Sequence, residues 1–303
     1  MKILLQLVGN QPLPNLLPSL YLKPDQTILI YTPQTDHVRR NIESVIGQCQ
    51  ALCCDAYDIE KLAEDLQNML ISKRGHELIF NLTGGTKAMA LAANQVAVQQ
   101  NAQIVYLESE RKQSVLYSYR YDDQLNLRLE SKAELPTLVS IEQFLDAHLG
   151  KGQWKETGAS KDTGGRFEEA VACALRCRLP QAEVKQGIRF LGRPDGTFNQ
   201  ADLDIVVRCG NQFARIECKS QGSTTTLDAA KQLNMWTELL GTYTRKFIAM
   251  SDRANLNHAG VYVATRTEVI ELLSFDGQSL SREDQDKLAD SIAKAIGGGI
   301  SSG

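Results

Sequence analysis

The sequence predicts an α/β protein with two α/β domains, the first a doubly wound parallel sheet. Three observations carry this. Residues 1–130 alternate short apolar runs with helical stretches, residues 131–165 lose that periodicity, and a second series of strands and helices follows. At about 100–200 residues per domain, 303 residues suffice for two.

The runs ILLQLV (3–8), TILIYT (27–32), ELIFNLT (77–83) and QIVYLES (103–109) read as strands, and 37–52, 60–73 and 87–100 read as helices between them. Strands this uniformly apolar are buried on both faces, and the alternation is the βαβ pattern of a parallel sheet. Residues 114–130 read as a hairpin turning near Asp122–Asp123. The expected boundaries are a first domain over 1–135, a linker over 136–162 holding one short helix and a polar, Gly-rich stretch, and a second domain over 163–303. There a helix at 165–179 precedes strands at 184–191, 201–209 and 213–220, a helix at 227–241, strands at 246–251 and within 261–275, and a last helix stopping at Gly297.

Composition excludes several classes. With 43% hydrophobic and 23% charged residues the chain is not disordered, collagen-like or a coiled coil. No apolar stretch approaches the ~20 residues that span a bilayer, so a cytoplasmic protein with no membrane partner is expected. Seven cysteines without a C-x-x-C pair and four scattered histidines speak for reduced thiols and against a structural zinc. The net charge of −3 is balanced along the chain, so any nucleic-acid contact must be local.

The sharpest chemical signal is ADLDIVV (201–207) followed by ARIECKS (214–220). On a strand, Glu217 and Lys219 share one face and Cys218 takes the other, and a hairpin brings Asp204 alongside them. Two carboxylates beside a lysine provide hard oxygen ligands for Mg2+ or Mn2+ and a cation for developing charge. The same triplet also arises on solvated strands; what distinguishes this one is that both carboxylates sit inside apolar runs, where an unpaired charge is costly. Glu168, on the preceding helix, adds a third carboxylate, and Asp202 is a secondary candidate.

In the first half, NLTGGTKAMALAA (81–93) is a strand end, a Gly–Gly turn and a helix start. Glycines admit a ligand to the backbone, and Thr83, Gly84, Gly85, Thr86 and Lys87 would cradle an anion at the helix N-terminus. They would equally serve as a tight turn with an N-cap threonine. The Walker A spacing is absent, which disfavours ATP hydrolysis. Gly9, Asn10 and Gln11, then Thr32 and Gln34, then Glu108 follow other strands and converge on the same edge.

The order Glu168, Asp204, Glu217-x-Lys219 resembles the PD-(D/E)xK nuclease superfamily, and Gln232 with Trp236 resembles the Q-x-x-x-Y extension of one subset. The resemblance implies a restriction-endonuclease-like domain in which Asp204, Glu217 and the backbone carbonyl of Cys218 bind metal, Lys219 assists the attack, and Glu168 and Gln232 support the site. VGNQPLPNLLP, YTPQTDH and NLTGGTKAMALAA resemble the Rossmann-like CARF domain of CRISPR effectors. Together these resemblances imply a homodimer that binds a cyclic oligoadenylate, in the first place cyclic tetra-adenylate, between its CARF domains. They imply a nuclease cutting RNA, single-stranded DNA or supercoiled DNA once activated. The competing expectation is a catalytically silent sensor that regulates through nucleic-acid or protein binding.

Overall fold

Strand β1 (Lys2–Leu7) lies at the middle of a seven-stranded sheet ordered β3-β2-β1-β4-β5-β6-β7. In chain order the elements are β1, α1 (Leu13–Leu22), β2 (Gln26–Tyr31), α2 (Asp36–Ile46), β3 (Gln50–Cys53), α3 (Ile59–Leu70), β4 (Glu77–Asn81), α4 (Lys87–Gln99) and β5 (Gln103–Glu108). The antiparallel hairpin β6 (Val115–Tyr121) and β7 (Leu127–Glu134) completes the sheet. The first five strands are parallel. The computed structural model describes residues 1–109, 113–193, 196, 198–220, 236–241, 244–252 and 266–297. The chain divides into Met1–Val139 with Asp146–His148, and Ser140–Leu145 with Leu149–Gly303.

One face of the first sheet presents Ile3, Leu5 and Leu7 to Leu62 and Leu66 of α3 and Met89 and Val96 of α4, while α1 and α2 pack on the other face. The strand order reverses direction between β1 and β4, where such sheets place their ligands. Two expectations change here. The stretch 37–52 is not one helix: α2 ends at Gly47, in a left-handed conformation at φ +92, and 50–53 becomes strand β3. Helix α1 forms across a proline-rich segment that gave no helical signal, with Pro18 inside it.

The second sheet is ordered β13-β12-β11-β10-β9-β8. Helix α5 (Ile141–Leu149), β8 (Trp154–Glu156) and α6 (Thr163–Arg178) lead into β9 (Glu183–Phe190), β10 (Ala201–Cys209) and β11 (Gln212–Lys219). Then come β12 (Arg245–Met250), β13 (Thr267–Glu271) and α7 (Arg282–Ile296). Strands β8 to β11 are antiparallel, and β11 to β13 parallel. Helix α6 spaces Phe167, Ala170, Val171, Ala174 and Leu175 along one stripe, which with α7 covers Ile205, Val207, Ile216 and Phe247. The region 136–162 thus contains α5 and also β8, whose three residues, two of them exposed, are too few for alternation to register in a sequence. Of the helix expected at 227–241, residues 236–240 are helical; Gln232 lies outside the described residues.

Candidate functional site

The carboxylate site forms where two strands part. The last rung between β10 and β11 pairs Ile205 with Ile216, so Asp204 and Glu217 stand opposite one another just beyond it, on the same face. In place of a further ladder bond, the Cys218 backbone N–H donates to Asp204 Oδ2 at 2.7 Å. Gly187 is the β9 residue abreast of Asp204, between the rungs Leu203–Ile188 and Ile205–Gln186, and its φ is +64. A Cβ there would strike the Gly158 backbone, so this break in the sheet beside Asp204 needs glycine.

Glu217 is 5% exposed and accepts a charge-assisted hydrogen bond from Lys219 Nζ at 2.6 Å. Burial pushes the Asp204 carboxyl well up, and the charges of Glu217 and Glu168 add to this. Burial likewise raises Glu217, with Lys219 pulling it back. Burial acts to lower Lys219, but Glu217 and Asp204 outweigh it and the ammonium is held more firmly than usual. Glu168 on α6 is raised by burial and then by the Glu217 charge. The structure therefore brings Glu168, Asp204, Glu217 and Lys219 into one electrostatic unit. Asp202, in contrast, is committed to Arg189 at 2.6 Å.

Two buried, mutually repelling carboxylates are a donor set that a hard divalent cation relieves, so their chemistry fits Mg2+ or Mn2+. Among the described residues no group of three or more His, Cys, Asp and Glu side chains is disposed to hold a metal ion; Glu217 Oε1 is turned to Lys219 instead. The Cys218 thiol packs into the core under α6 and α7, and its backbone is in register with Ala249 of β12.

In the first unit, the loops after β1 and β4 meet backbone to backbone. A Cβ on Gly84 would collide with the Leu7 carbonyl oxygen, and one on Gly85, at φ +71, would lie 2.8 Å from Leu7 Cβ. Thr86 caps α4, its hydroxyl accepting from the Met89 N–H at 3.2 Å and donating to the Ala56 carbonyl at 2.7 Å. Thr83 donates through its hydroxyl to Asn81 Oδ1 at 2.6 Å and accepts from the Leu107 N–H at 2.8 Å. Thr32 makes a reciprocal cap with Thr35. These three hydroxyls build the loops, while Asn10, Gln34 and Lys87 are exposed at the strand ends and Gly9 and Gln11 are half-buried. Glu108 accepts from the Tyr117 hydroxyl at 2.7 Å.

Sequence reasoning missed the buried amides beneath these loops. Asn81 donates to Gln6 Oε1 at 2.9 Å, Gln6 donates to the Ser19 hydroxyl at 2.7 Å, and Asn15 donates to the Leu7 carbonyl at 3.0 Å. A lone amide inside each apolar run, Gln6 in ILLQLV and Asn81 in ELIFN, was the available signal.

Residues 3–135 match the family model for the Card1 CARF domain. The first unit is a CARF domain, followed by a second α/β domain. The fold of the whole chain is similar to Can2 from Sulfobacillus thermosulfidooxidans in complex with cyclic tetra-adenylate, with a TM-score of 0.73, 16% identity, and coverage of 98% of this chain and 99% of that one. Protein VC1899 from Vibrio cholerae gives a TM-score of 0.72 at 13% identity over 98% of this chain and 99% of that one. A type III CRISPR defence DNA nuclease activated by cyclic oligoadenylate gives a TM-score of 0.63 at 17% identity, covering 95% of this chain and 51% of that one. At these identities the likeness is one of fold. No curated protein matches the chain.

Proposed function

We propose that this chain is a metal-dependent endonuclease of CRISPR defence, switched on by a cyclic oligoadenylate, in the first place cyclic tetra-adenylate, and acting on RNA, single-stranded DNA or supercoiled DNA. The observation that carries the reading is the buried unit of Asp204, Glu217 and Lys219 on adjoining strands, in a chain whose first unit is a CARF domain. Asp204, Glu217 and the Cys218 carbonyl would hold Mg2+ or Mn2+, which when bound supplies Lewis acidity toward a phosphodiester. Lys219 places a cation where negative charge develops on the phosphate, and Glu168 holds a proton more readily than an ordinary carboxylate. The cradle for the activator is formed by Gly9, Asn10, Gln11, Gln34, Gly84, Gly85 and Lys87, shaped by Thr32, Thr83 and Thr86 and flanked by Glu108. A two-fold ring suits a two-fold pair of such cradles in a homodimer.

A catalytically silent sensor is the second reading. It draws on the lack of a three-ligand cluster among the described residues. One assay separates the two: labelled RNA, single-stranded DNA and supercoiled plasmid, with Mn2+ or Mg2+, with and without cyclic tetra-adenylate, beside Glu217→Ala. Cutting that requires both metal and activator and disappears in the variant supports the nuclease. Activator binding without cutting under any condition supports the sensor.

A further inference from the structure

The last turns of α7 and the first residues of β12 and β13 enclose a groove of about 530 Å3 that neither reading uses. Arg245 opens β12, Arg266 immediately precedes β13, and Lys294 lies in the last turn of α7; these three and Lys246 line the groove, with Glu268 as its one carboxylate. Among the described residues, Arg245, Arg266 and Lys294 are in no ion pair. Burial, then the charges of Arg215 and Arg266, hold the Lys246 ammonium below its usual pKa, so Arg266 and Lys246 stand in each other's field. In a chain of net charge −3, an anion is attracted only where cations are gathered locally, and this groove gathers four. The backbone of Arg266 is a second, independent observation. Its φ is +53, in the left-handed region that an L-residue enters only at a cost. Of the other described non-glycine residues in that region, Lys23 and Asn101 follow helix ends and Leu125 sits in the β6–β7 turn. Arg266 leads directly into a strand, where glycine would meet the same backbone demand without strain. Strain kept at a charged residue that lines a groove points to a binding role.

We propose that this groove binds the phosphodiester backbone of a single nucleic-acid strand, with Arg245, Arg266 and Lys294 meeting its phosphate oxygens. The partner rests on the nucleic-acid-acting function proposed above. The groove's volume is that of a site for a nucleotide-sized group and not for the two strands of a duplex. Its surplus of cations fits a strand that carries one negative charge per nucleotide, and the planar fork of Arg266 can hold two phosphate oxygens at once. Ala214 is abreast of Arg245 and Lys219 abreast of Met250, so the groove lies at the opposite end of these parallel strands from the carboxylate site. Phe247 beneath it belongs to the face covered by α6 and α7, and Glu217 and Lys219 to the other. The groove therefore anchors a strand and takes no part in cutting it.

The test uses the full chain in EDTA, so that binding is read without cutting. Anisotropy of labelled oligouridylate and oligothymidylate is followed over a KCl series, with and without cyclic tetra-adenylate. Arg266→Gly should weaken binding about tenfold, the size expected for losing one charge-assisted contact, while its Tm stays unchanged or rises because glycine relieves the strained φ. Arg245→Ala combined with Lys294→Ala should flatten the slope of log affinity against log salt by about 1.4, at about 0.7 for each phosphate contact. Glu268→Gln, which removes the one carboxylate, should tighten binding. No binding by wild type, or unchanged affinity and salt slope in the variants, overturns the proposal. So does a duplex or a polyglutamate that competes as well as the strand, or a fall in Tm that accounts for the loss in Arg266→Gly. The nuclease reading is scored apart: variants that bind like wild type overturn the groove even where wild type cuts, and binding lost in the variants supports it even where nothing cuts.

Discussion

Asn81 Nδ2 donates a hydrogen bond at 2.8 Å to the carbonyl of Pro14, the group that Pro18, four residues further along α1, has no N–H to satisfy. A side chain at the end of β4 thereby repairs the hydrogen bond a proline removes from a helix packed on β1. The same amide holds Gln6 on one side and Thr83 on the other, so α1 and the Gly-rich turn are set by one buried residue. Asn81→Leu leaves the Pro14 carbonyl, Gln6 Oε1 and the Thr83 N–H without the partners Asn81 gives them, at about 1–3 kcal/mol for each buried group. Urea unfolding should show a loss of at least about 3 kcal/mol, and calorimetric titration should show weaker binding of cyclic tetra-adenylate. Unchanged stability would mean the network is not sustaining the loop.

Gly84 and Gly75 separate a packing requirement from a backbone one. Gly84→Ala drives a methyl group into the Leu7 carbonyl, where backbone faces backbone and neither can yield; about 1–3 kcal/mol and loss of activator binding are expected. Gly75, at φ +81, has open space where a Cβ would go, so Gly75→Ala should cost about 1 kcal/mol and leave activator binding intact. Paired denaturation and binding curves for the two variants check this, and equal effects would contradict the close approach.

Asp204 makes the metal-free protein pH-sensitive in a defined direction. Its folded pKa lies above the unfolded value of 3.8, with burial the main cause, so the folded state keeps a proton the unfolded chain has lost. That contribution is complete below 3.8 and disappears as pH rises through the folded value. Asp204→Asn cannot lose a proton, so in chelator its stability relative to wild type should increase from pH 4 upward, while metal-dependent cleavage vanishes. A stability difference that does not change with pH would show that Asp204 is not the buried, repelled carboxylate described.

Strands β1, β2, β4 and β5 were legible because they are apolar runs separated by helical stretches, two signals that need no tertiary knowledge. Helix α1 was not, because its prolines argue locally against a helix and the compensation comes from Asn81, 67 residues beyond Pro14. Strand β3 was hidden by a short Gly47 turn against a helix-like pattern. At the carboxylate site, the two-residue spacing of Glu217 and Lys219 and the apolar setting of Asp204 were visible; the capping of Cys218 N–H by Asp204 was not. It depends on where two strands separate, a property of the register and of Gly187 rather than of either motif.

Lys219 holds Glu217 through its Nζ at 2.6 Å, and the two competing roles of that bond can be told apart. If the lysine served only to neutralise a buried carboxylate, Lys219→Met would destabilise the second unit, by as much as about 3–5 kcal/mol for a fully buried pair, and a bound cation would restore it. If it also stabilises the phosphate in the transition state, cleavage falls by about 100-fold or more and stays low even when the metal site is saturated. Removing the ammonium frees Glu217 Oε1, so Mn2+ affinity measured by calorimetry should rise in Lys219→Met although activity is lost. Arginine at this position restores charge but not the compact ammonium, and should recover stability more than turnover. Weaker Mn2+ binding in the methionine variant would remove Glu217 from the metal site and leave the ion pair as a purely structural feature.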